Sequence, residues 1–252
     1  MWENFSPYPL TRENLLRLIN NEIPVIRIPN FAPQDQSEEL ALRFMNFANK
    51  SNSVATVTRM GISQYEQGIV AGKANYFSLV EEAWANLEKA CETTFNPVTK
   101  MIDTLRQYFE SVEIMEEPNF GRYFAGVAKL RTGHTPMHSD FPLFGADDWG
   151  VAAQSAQLSW NFYLRVPEEG GELKVWDKFW QEEHDEQYLV KGTYYHDEAV
   201  VADVPSITIK PIAGEVMLLN ARNYHTVLPC ENRVAIGSWI SQMPDDSLKL
   251  WS

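Results

Sequence analysis

The sequence predicts an α+β protein: a jelly-roll, or double-stranded β-helix, core of antiparallel strands buttressed by N-terminal helices. Residues 1–118 are dominated by apolar residues at helical spacing with capping signals, whereas residues 119–252 break into short β-rich runs separated by turn signals. No repeat, low-complexity tract or linker interrupts the 252 residues, so the expectation is one domain spanning 1–252.

The elements follow in order. Thr11 caps a helix over 11–22 that puts Leu15, Leu16 and Ile19 on one face. The apolar run between Pro24 and Pro29 reads as a strand, and a second amphipathic helix covers 37–49, ending at Asn49. Ser78 and Glu81 form a capping-box pair that opens a helix to about Thr94. Asn96 followed by Pro97 starts the next helix, where Met101, Leu105 and Phe109 form one apolar stripe. Beyond it, strands are expected at 122–131, 158–166, 172–176, 207–210, 216–220 and 233–241, with tight turns at Gly170-Gly171 and Ala213-Gly214. Residues 181–204, polar and acidic with Tyr188, Tyr194 and Tyr195, form a long insertion in the core. We expect a flap that is mobile until substrate binds, with His184 and His196 solvated. Its Glu182, Glu183 and Asp185 read mainly as a solvated face, with the attraction of a cationic substrate as the alternative.

Composition excludes several function classes. Hydrophobic residues make up 44% of the chain, enough for a large core. A net charge of −13 is the wrong sign for sequence-independent nucleic-acid binding. No apolar run is long enough to span a membrane, and the first residues lack the pattern of a secretory leader. Cys91 and Cys230 are far apart and read as reduced thiols in a cytoplasmic protein. The expected partner is therefore a small molecule; the oligomeric state is left open.

His138 and Asp140 stand two residues apart, a spacing that on a strand directs both side chains to one face. His225 follows the apolar strand 216–220 and supplies a third donor. Two imidazoles and one carboxylate grip one face of a metal and leave the other open, which suits iron(II) and also zinc or manganese. The sequence has no HExxH helix and no cysteine cluster, which favours iron over hydrolytic zinc. Arg233, on the following strand, offers a fixed bidentate cation for the far carboxylate of a dicarboxylate co-substrate. If Arg233 points inward, alternation brings Ala235, Gly237 and Trp239 with it, so Trp239 is either an aromatic pocket wall or plain core. Pro136 argues against a helix joining His134 to His138. That leaves His134, with Asn223 and Thr226, as candidates to hydrogen-bond a polar substrate or as turn and packing residues.

These residues resemble the non-haem iron(II), 2-oxoglutarate-dependent oxygenases over about 122–241. His138-Ser-Asp140 is similar to the family's HxD, and Phe162 through Leu173 to its strand, double-glycine turn and next strand. Ile209 through Gly214 with Leu218-Leu219 resembles the approach to the distal histidine, and His225 through Pro229 with Arg233 the histidine and co-substrate arginine. The Val166-Pro-Glu-Glu-Gly-Gly-Glu-Leu173 run and the Lys249-Leu-Trp-Ser252 ending look closest to a small-molecule branch of free-standing aliphatic halogenases and amino-acid-derivative hydroxylases. The resemblance implies iron(II), 2-oxoglutarate and O2. Its co-substrate is oxidatively decarboxylated to succinate and carbon dioxide while a substrate C–H bond is hydroxylated. Two departures matter. The halogenases carry glycine or alanine where this chain has Asp140, which implies a hydroxylase and not a halogenase. Some relatives carry serine where this chain has Ala235, so Tyr163 is the candidate hydroxyl for the co-substrate carboxylate. Demethylation, desaturation or cyclisation would use the same cofactors. A non-enzymatic metal-binding jelly roll is the alternative of a different class, and it would have no use for Arg233.

Overall fold

Helix starts are where local chemistry dictates structure most directly. In the computed structural model, which describes residues 2–48, 53–54, 57–69, 71–141 and 147–252, a short β1 (Tyr8–Pro9) precedes α1 (Arg12–Ile19). Thr11 Oγ1 accepts the Asn14 N–H at 3.0 Å and so caps that helix. Asn96 does the same for α4 (Pro97–Arg106), accepting from Val98 N at 2.9 Å, with Pro97 at the first helical position. Met101 and Leu105 are buried on α4, as the stripe predicts; Phe109 is buried too, but lies three residues past the end of the helix.

Three helices differ in their bounds from the sequence reading. α1 ends at Ile19, three residues short of the expected Glu22. α2 is Gln34–Ala48, beginning three residues early; the expected end at Asn49 lies outside the described residues. α3 is Lys73–Cys91, so Ser78 lies within the helix and its hydroxyl bonds back to Asn75 O at 2.7 Å. The apolar face of Tyr76, Val80, Ala83, Trp84 and Leu87 is continuous across Ser78 and outweighs its capping tendency.

The N-terminal part is also less purely helical than expected. It contributes β2 (Val25–Ile28), β3 (Ser53–Val54), β4 (Val57–Met60), a π-helical turn (Gln64–Ile69), β5 (Val112–Ile114), β6 (Glu116–Glu117) and β7 (Gly121–Arg122). The core strands are β8 (Val127–His138), β9 (Ala156–Arg165), β10 (Leu173–Phe179), β11 (Ser206–Ile209), β12 (Val216–Asn220), β13 (Asn223–Gln242) and β14 (Leu248–Trp251), with α5 (Glu182–Tyr188) between β10 and β11.

β8 and β13 organise the double-stranded β-helix. One face runs β2-β12-β9-β13-β8-β4; β10 and β11 continue from the first part of β13. Residues 223–227 of β13 pair with β10, whereas 234–242 pair with β9. β8 accompanies β13 from His225 to Gly237, and the register shifts between His225 and Arg233 mark where both strands bend from one layer to the other. Gly170 and Gly171 close the β9–β10 connection, both at positive φ; a Cβ on Gly170 would lie 2.0 Å from Pro229 O. The helices pack against the β9–β12 face, and one hydrophobic cluster runs from Leu15 to Trp251.

Candidate metal centre

His138 is the last residue of β8 and His225 lies near the start of β13; the two are directly paired across the ladder. Asp140 lies just beyond β8, in a bend rather than on the strand. The predicted same-face geometry is therefore supplied by the bend. Asp140 N donates to Ala221 O at 3.0 Å, and Gln157 Nε2 donates to Asp140 O at 3.1 Å. Ser139 Oγ accepts the Phe141 N–H at 3.1 Å and lies 3.2 Å from both Ala221 O and Arg222 O.

Each histidine is held through Nδ1, His138 to Pro136 O at 2.8 Å and His225 to Asn223 O at 2.9 Å. A carbonyl can only accept, so each Nδ1 carries the proton and each Nε2 lone pair is free to bind a metal. Both Nε2 atoms point at Asp140, 3.6 Å from Oδ1 and Oδ2 respectively. The three donor atoms lie within 4.8 Å of one another, the spacing of a mononuclear site. Burial, then the neighbouring His225, pushes His138 down to about 3, keeping it a neutral ligand. Burial would raise Asp140, but His225, His138 and Lys129 outweigh it and hold the carboxyl below its ordinary range.

The centre opens into a cavity whose wall includes Arg233, Tyr163, Ala235, Gly237 and Trp239. The Arg233 guanidinium lies over the Tyr163 ring at 4.9 Å from its centroid. Arg233 Nε and Tyr163 Oη are buried and make no hydrogen bond among the described residues. Such donors are costly to leave unpaired and together fit a carboxylate. Burial raises Tyr163, against the opposing effect of Arg233, so its hydroxyl stays protonated and able to donate.

Three sequence candidates lie off this wall. His134 is exposed; its neighbour Thr135 faces the cavity, and alternation turns His134 outward. Thr226 follows the inward His225 and so faces away, its Oγ1 bonding Thr135 O. Asn223 Nδ2 donates to Asn21 Oδ1 at 2.6 Å, so its side chain braces the N-terminal segment while its carbonyl orients His225.

Conversely, the cavity includes Arg59, Lys129, Arg131, Thr135, Gln64 and Tyr65, which the sequence reading passed over, together with Tyr194 of the insertion. The signal for Lys129 and Arg131 is alternation back along β8 from Thr135.

The insertion is folded onto the core. His196 N donates to Met137 O at 2.9 Å, and Tyr195 bridges to His138. His196, expected to be solvated, is buried, with Nε2 2.8 Å from Asp185 Oδ1; that oxygen also accepts Trp180 Nε1 at 2.7 Å. His184 is partly buried and its Nδ1 lies 2.9 Å from Tyr224 Oη. Glu182 and Glu183 are exposed, and with Asp185 they lie off the cavity wall.

Residues 8–252 match the family described as carrier-protein-independent halogenase WelO5. The chain is 32% identical over 209 residues to leucinostatins biosynthesis cluster protein S of Purpureocillium lilacinum, covering 77% of this chain and 84% of that protein. It is 34% identical over 100 residues to an L-γ-glutamyl-L-propargylglycine hydroxylase of Streptantibioticus cattleyicolor, covering 38% of this chain and 36% of that one. In fold it is similar to an N-substituted L-amino acid dioxygenase from Burkholderia ambifaria, with a TM-score of 0.65 at 15% identity over 96% of this chain and 91% of that one. Among the described residues no helix is long and apolar enough to cross a membrane.

Proposed function

Since the chain belongs to the carrier-protein-independent halogenase WelO5 family, and with it to the non-haem iron(II)/2-oxoglutarate oxygenases, we propose that it hydroxylates a C–H bond of a small molecule, either an amino-acid derivative or a specialised metabolite. The carrying observation is Asp140. A third protein donor stands 3.6 Å from both imidazole Nε2 atoms, in the place a halide would need.

The residues fit the cofactors. His138, Asp140 and His225 would hold iron(II) on one face, and the unpaired donors of Arg233 and Tyr163 would take the far carboxylate of 2-oxoglutarate. When bound, iron(II) with 2-oxoglutarate and O2 supplies the oxidising power to break an unactivated C–H bond. The protein's own residues position the reactants. Pro136 O and Asn223 O fix both imidazoles, the bend anchored at Ala221 fixes Asp140, and Trp239 and Tyr194 shape the space beside them. The hydroxylase among the relatives supports an amino-acid-like substrate. The hydrophobic cluster from Leu15 to Trp251 supports one oxygenase unit over 1–252, and the free thiols of Cys91 and Cys230 fit a cytoplasmic location.

The test is product analysis. Purified enzyme with iron(II), 2-oxoglutarate, O2 and a panel of amino acids and derivatives should give, in high chloride, succinate and a product heavier by one oxygen atom. A chlorinated product from the unmodified protein would overturn the hydroxylase reading.

A further inference from the structure

The cavity wall carries an excess of positive charge that the metal and co-substrate do not account for. Arg59 on β4 stands opposite Lys129 on β8, and Arg131 on β8 stands opposite Arg233 on β13. All four face the same cavity. Like charges directly opposite on neighbouring strands repel, so this arrangement destabilises the empty sheet. Among the described residues two side-chain carboxylates share the cavity wall: Glu66 pairs with Arg59, and Asp140 is directed at the two histidines. Neither the Lys129 ammonium nor the Arg131 guanidinium makes an ion pair or hydrogen bond among the described residues.

The electrostatics agree. Burial among the cavity walls, then Arg59 and Arg131, pushes Lys129 down to about 7, although solvent still reaches it through the cavity mouth. Burial, then Arg233, pushes Arg131 down to about 10. In a chain of net charge −13, four cations around one cavity are a local reversal of the protein's own field.

We propose that Lys129 and Arg131 bind a carboxylate of the substrate, so that the molecule oxidised is a carboxylic acid with no free ammonium group near that end. This rests on the oxygenase reading above. There, 2-oxoglutarate spends one carboxylate at the metal and the other at Arg233, leaving Lys129 and Arg131 for a second anion. Tyr65, Tyr194 and Trp239 on the same wall suit an apolar body attached to that carboxylate. Arg59 is paired with Glu66 and Arg233 would hold the co-substrate, so a free amine here would face Lys129 and Arg131 and be repelled; the class is an N-acylated or otherwise masked amino acid, or a plain carboxylic acid. The exposed acidic residues of 181–204 do not enter this selection.

The experiment uses the full chain loaded anaerobically with manganese(II) and 2-oxoglutarate. The probes are N-acetyl-L-leucine, N-acetyl-L-methionine and N-acetyl-L-phenylalanine, each paired with its carboxamide, with binding read by calorimetry. The expected result is that at least one acid binds tenfold or more tightly than its amide. Lys129→Gln and Arg131→Gln should each erase that preference, and Lys129→Arg should keep it. The affinity for 2-oxoglutarate should change less than twofold in the Gln variants. The melting temperature of ligand-free Lys129→Gln should not fall, because a repelled cation has been removed. Equal binding of acids and amides, no binding of any acid, or an unchanged preference in both Gln variants overturns the proposal. So does a loss of 2-oxoglutarate affinity as large as the loss for the probe, which would assign the cations to the co-substrate. Failure of the wild-type protein to bind manganese(II) and 2-oxoglutarate at all would overturn the oxygenase reading instead, and the acid–amide comparison is then read on the metal-free protein.

Discussion

His138 and His225 face each other across the β8–β13 ladder with ring centroids 4.3 Å apart, each ring fixed by the carbonyl two residues before it. Two rigid strands therefore set the gap between the two Nε2 atoms, and only Asp140 depends on a bend. Replacing His225 by Ala should lower iron(II) affinity by about a hundredfold or more, since even changes to the partners of metal ligands cost about 10–100-fold. It should also abolish the visible absorption of the anaerobic iron–2-oxoglutarate complex. An intact band in that variant would remove His225 from the ligand set.

Arg233 and Tyr163 make separable contributions. Arg233→Ala should weaken 2-oxoglutarate binding by about 2–5 kcal/mol, the usual cost of truncating a buried charged partner, and leave iron binding nearly unchanged. Tyr163→Phe keeps the ring under the guanidinium and removes one neutral donor, so it should cost about 1 kcal/mol. Calorimetric titration of 2-oxoglutarate into the anaerobic metal-loaded variants checks both.

The insertion 181–204 should be protected without substrate, contrary to the mobile flap the sequence suggests. Asp185 holds two donors, Trp180 Nε1 and His196 Nε2, and the His196 amide is tied to Met137 O. Hydrogen exchange should show slow exchange at His196 and Val190 in the substrate-free protein. Asp185→Ala leaves those two donors unpaired, at about 1–3 kcal/mol each, and should speed exchange across the segment. Fast exchange at His196 in the wild type would restore the flap.

Binding of a carboxylate beside Lys129 should take up a proton. Lys129 is held near 7 by burial and by Arg59 and Arg131, with Arg233 also lowering it and Asp140 opposing. At pH 8 it is mostly neutral, and a bound anion favours its charged form. Affinity for N-acetyl-L-leucine should therefore fall as the pH rises from 7 to 9. Calorimetry at pH 8 in two buffers of different ionisation enthalpy should give a positive proton uptake. For folding, a lysine lowered from its ordinary value of 10.5 opposes the native state below 7, so this contribution favours the fold increasingly as the pH rises from 7 towards 10.5.

The convergence of His138, Asp140 and His225 was legible because chemistry fixed the residue types and β12 fixed where His225 falls. The inward row Arg233, Ala235, Gly237 and Trp239 was legible because β13 keeps regular register with β8 from Arg233 to Gly237 and with β9 from Ala235 to Gln242. Lys129 and Arg131 were not, and the ladder explains why. Between His225 and Val227 on β13, β8 runs from His138 to Thr135, one residue more, around Pro136. Counting by twos back from His138 therefore lands on the wrong face and selects His134, not Thr135, Arg131 and Lys129. Pro136 lacks the N–H for a ladder bond and so favours such a bulge, but a sequence shows the proline without showing the slip. The buried state of His196 was hidden for a related reason: Asp185 and Met137 reach it from other elements.

β13 also works as a ruler. It carries His225 at one end of the cavity and Arg233 at the other, with two extra residues taken up between Val227 and Arg233 relative to β8. The two slips cancel, so both side chains arrive on the same side. The distance from metal to guanidinium is thus written in residue count. Changing any residue from 226 to 232 would alter packing, whereas deleting one would turn Arg233 outward. The span open to a diacid between the histidines and the guanidinium is set by this stretch of backbone more than by any single side chain.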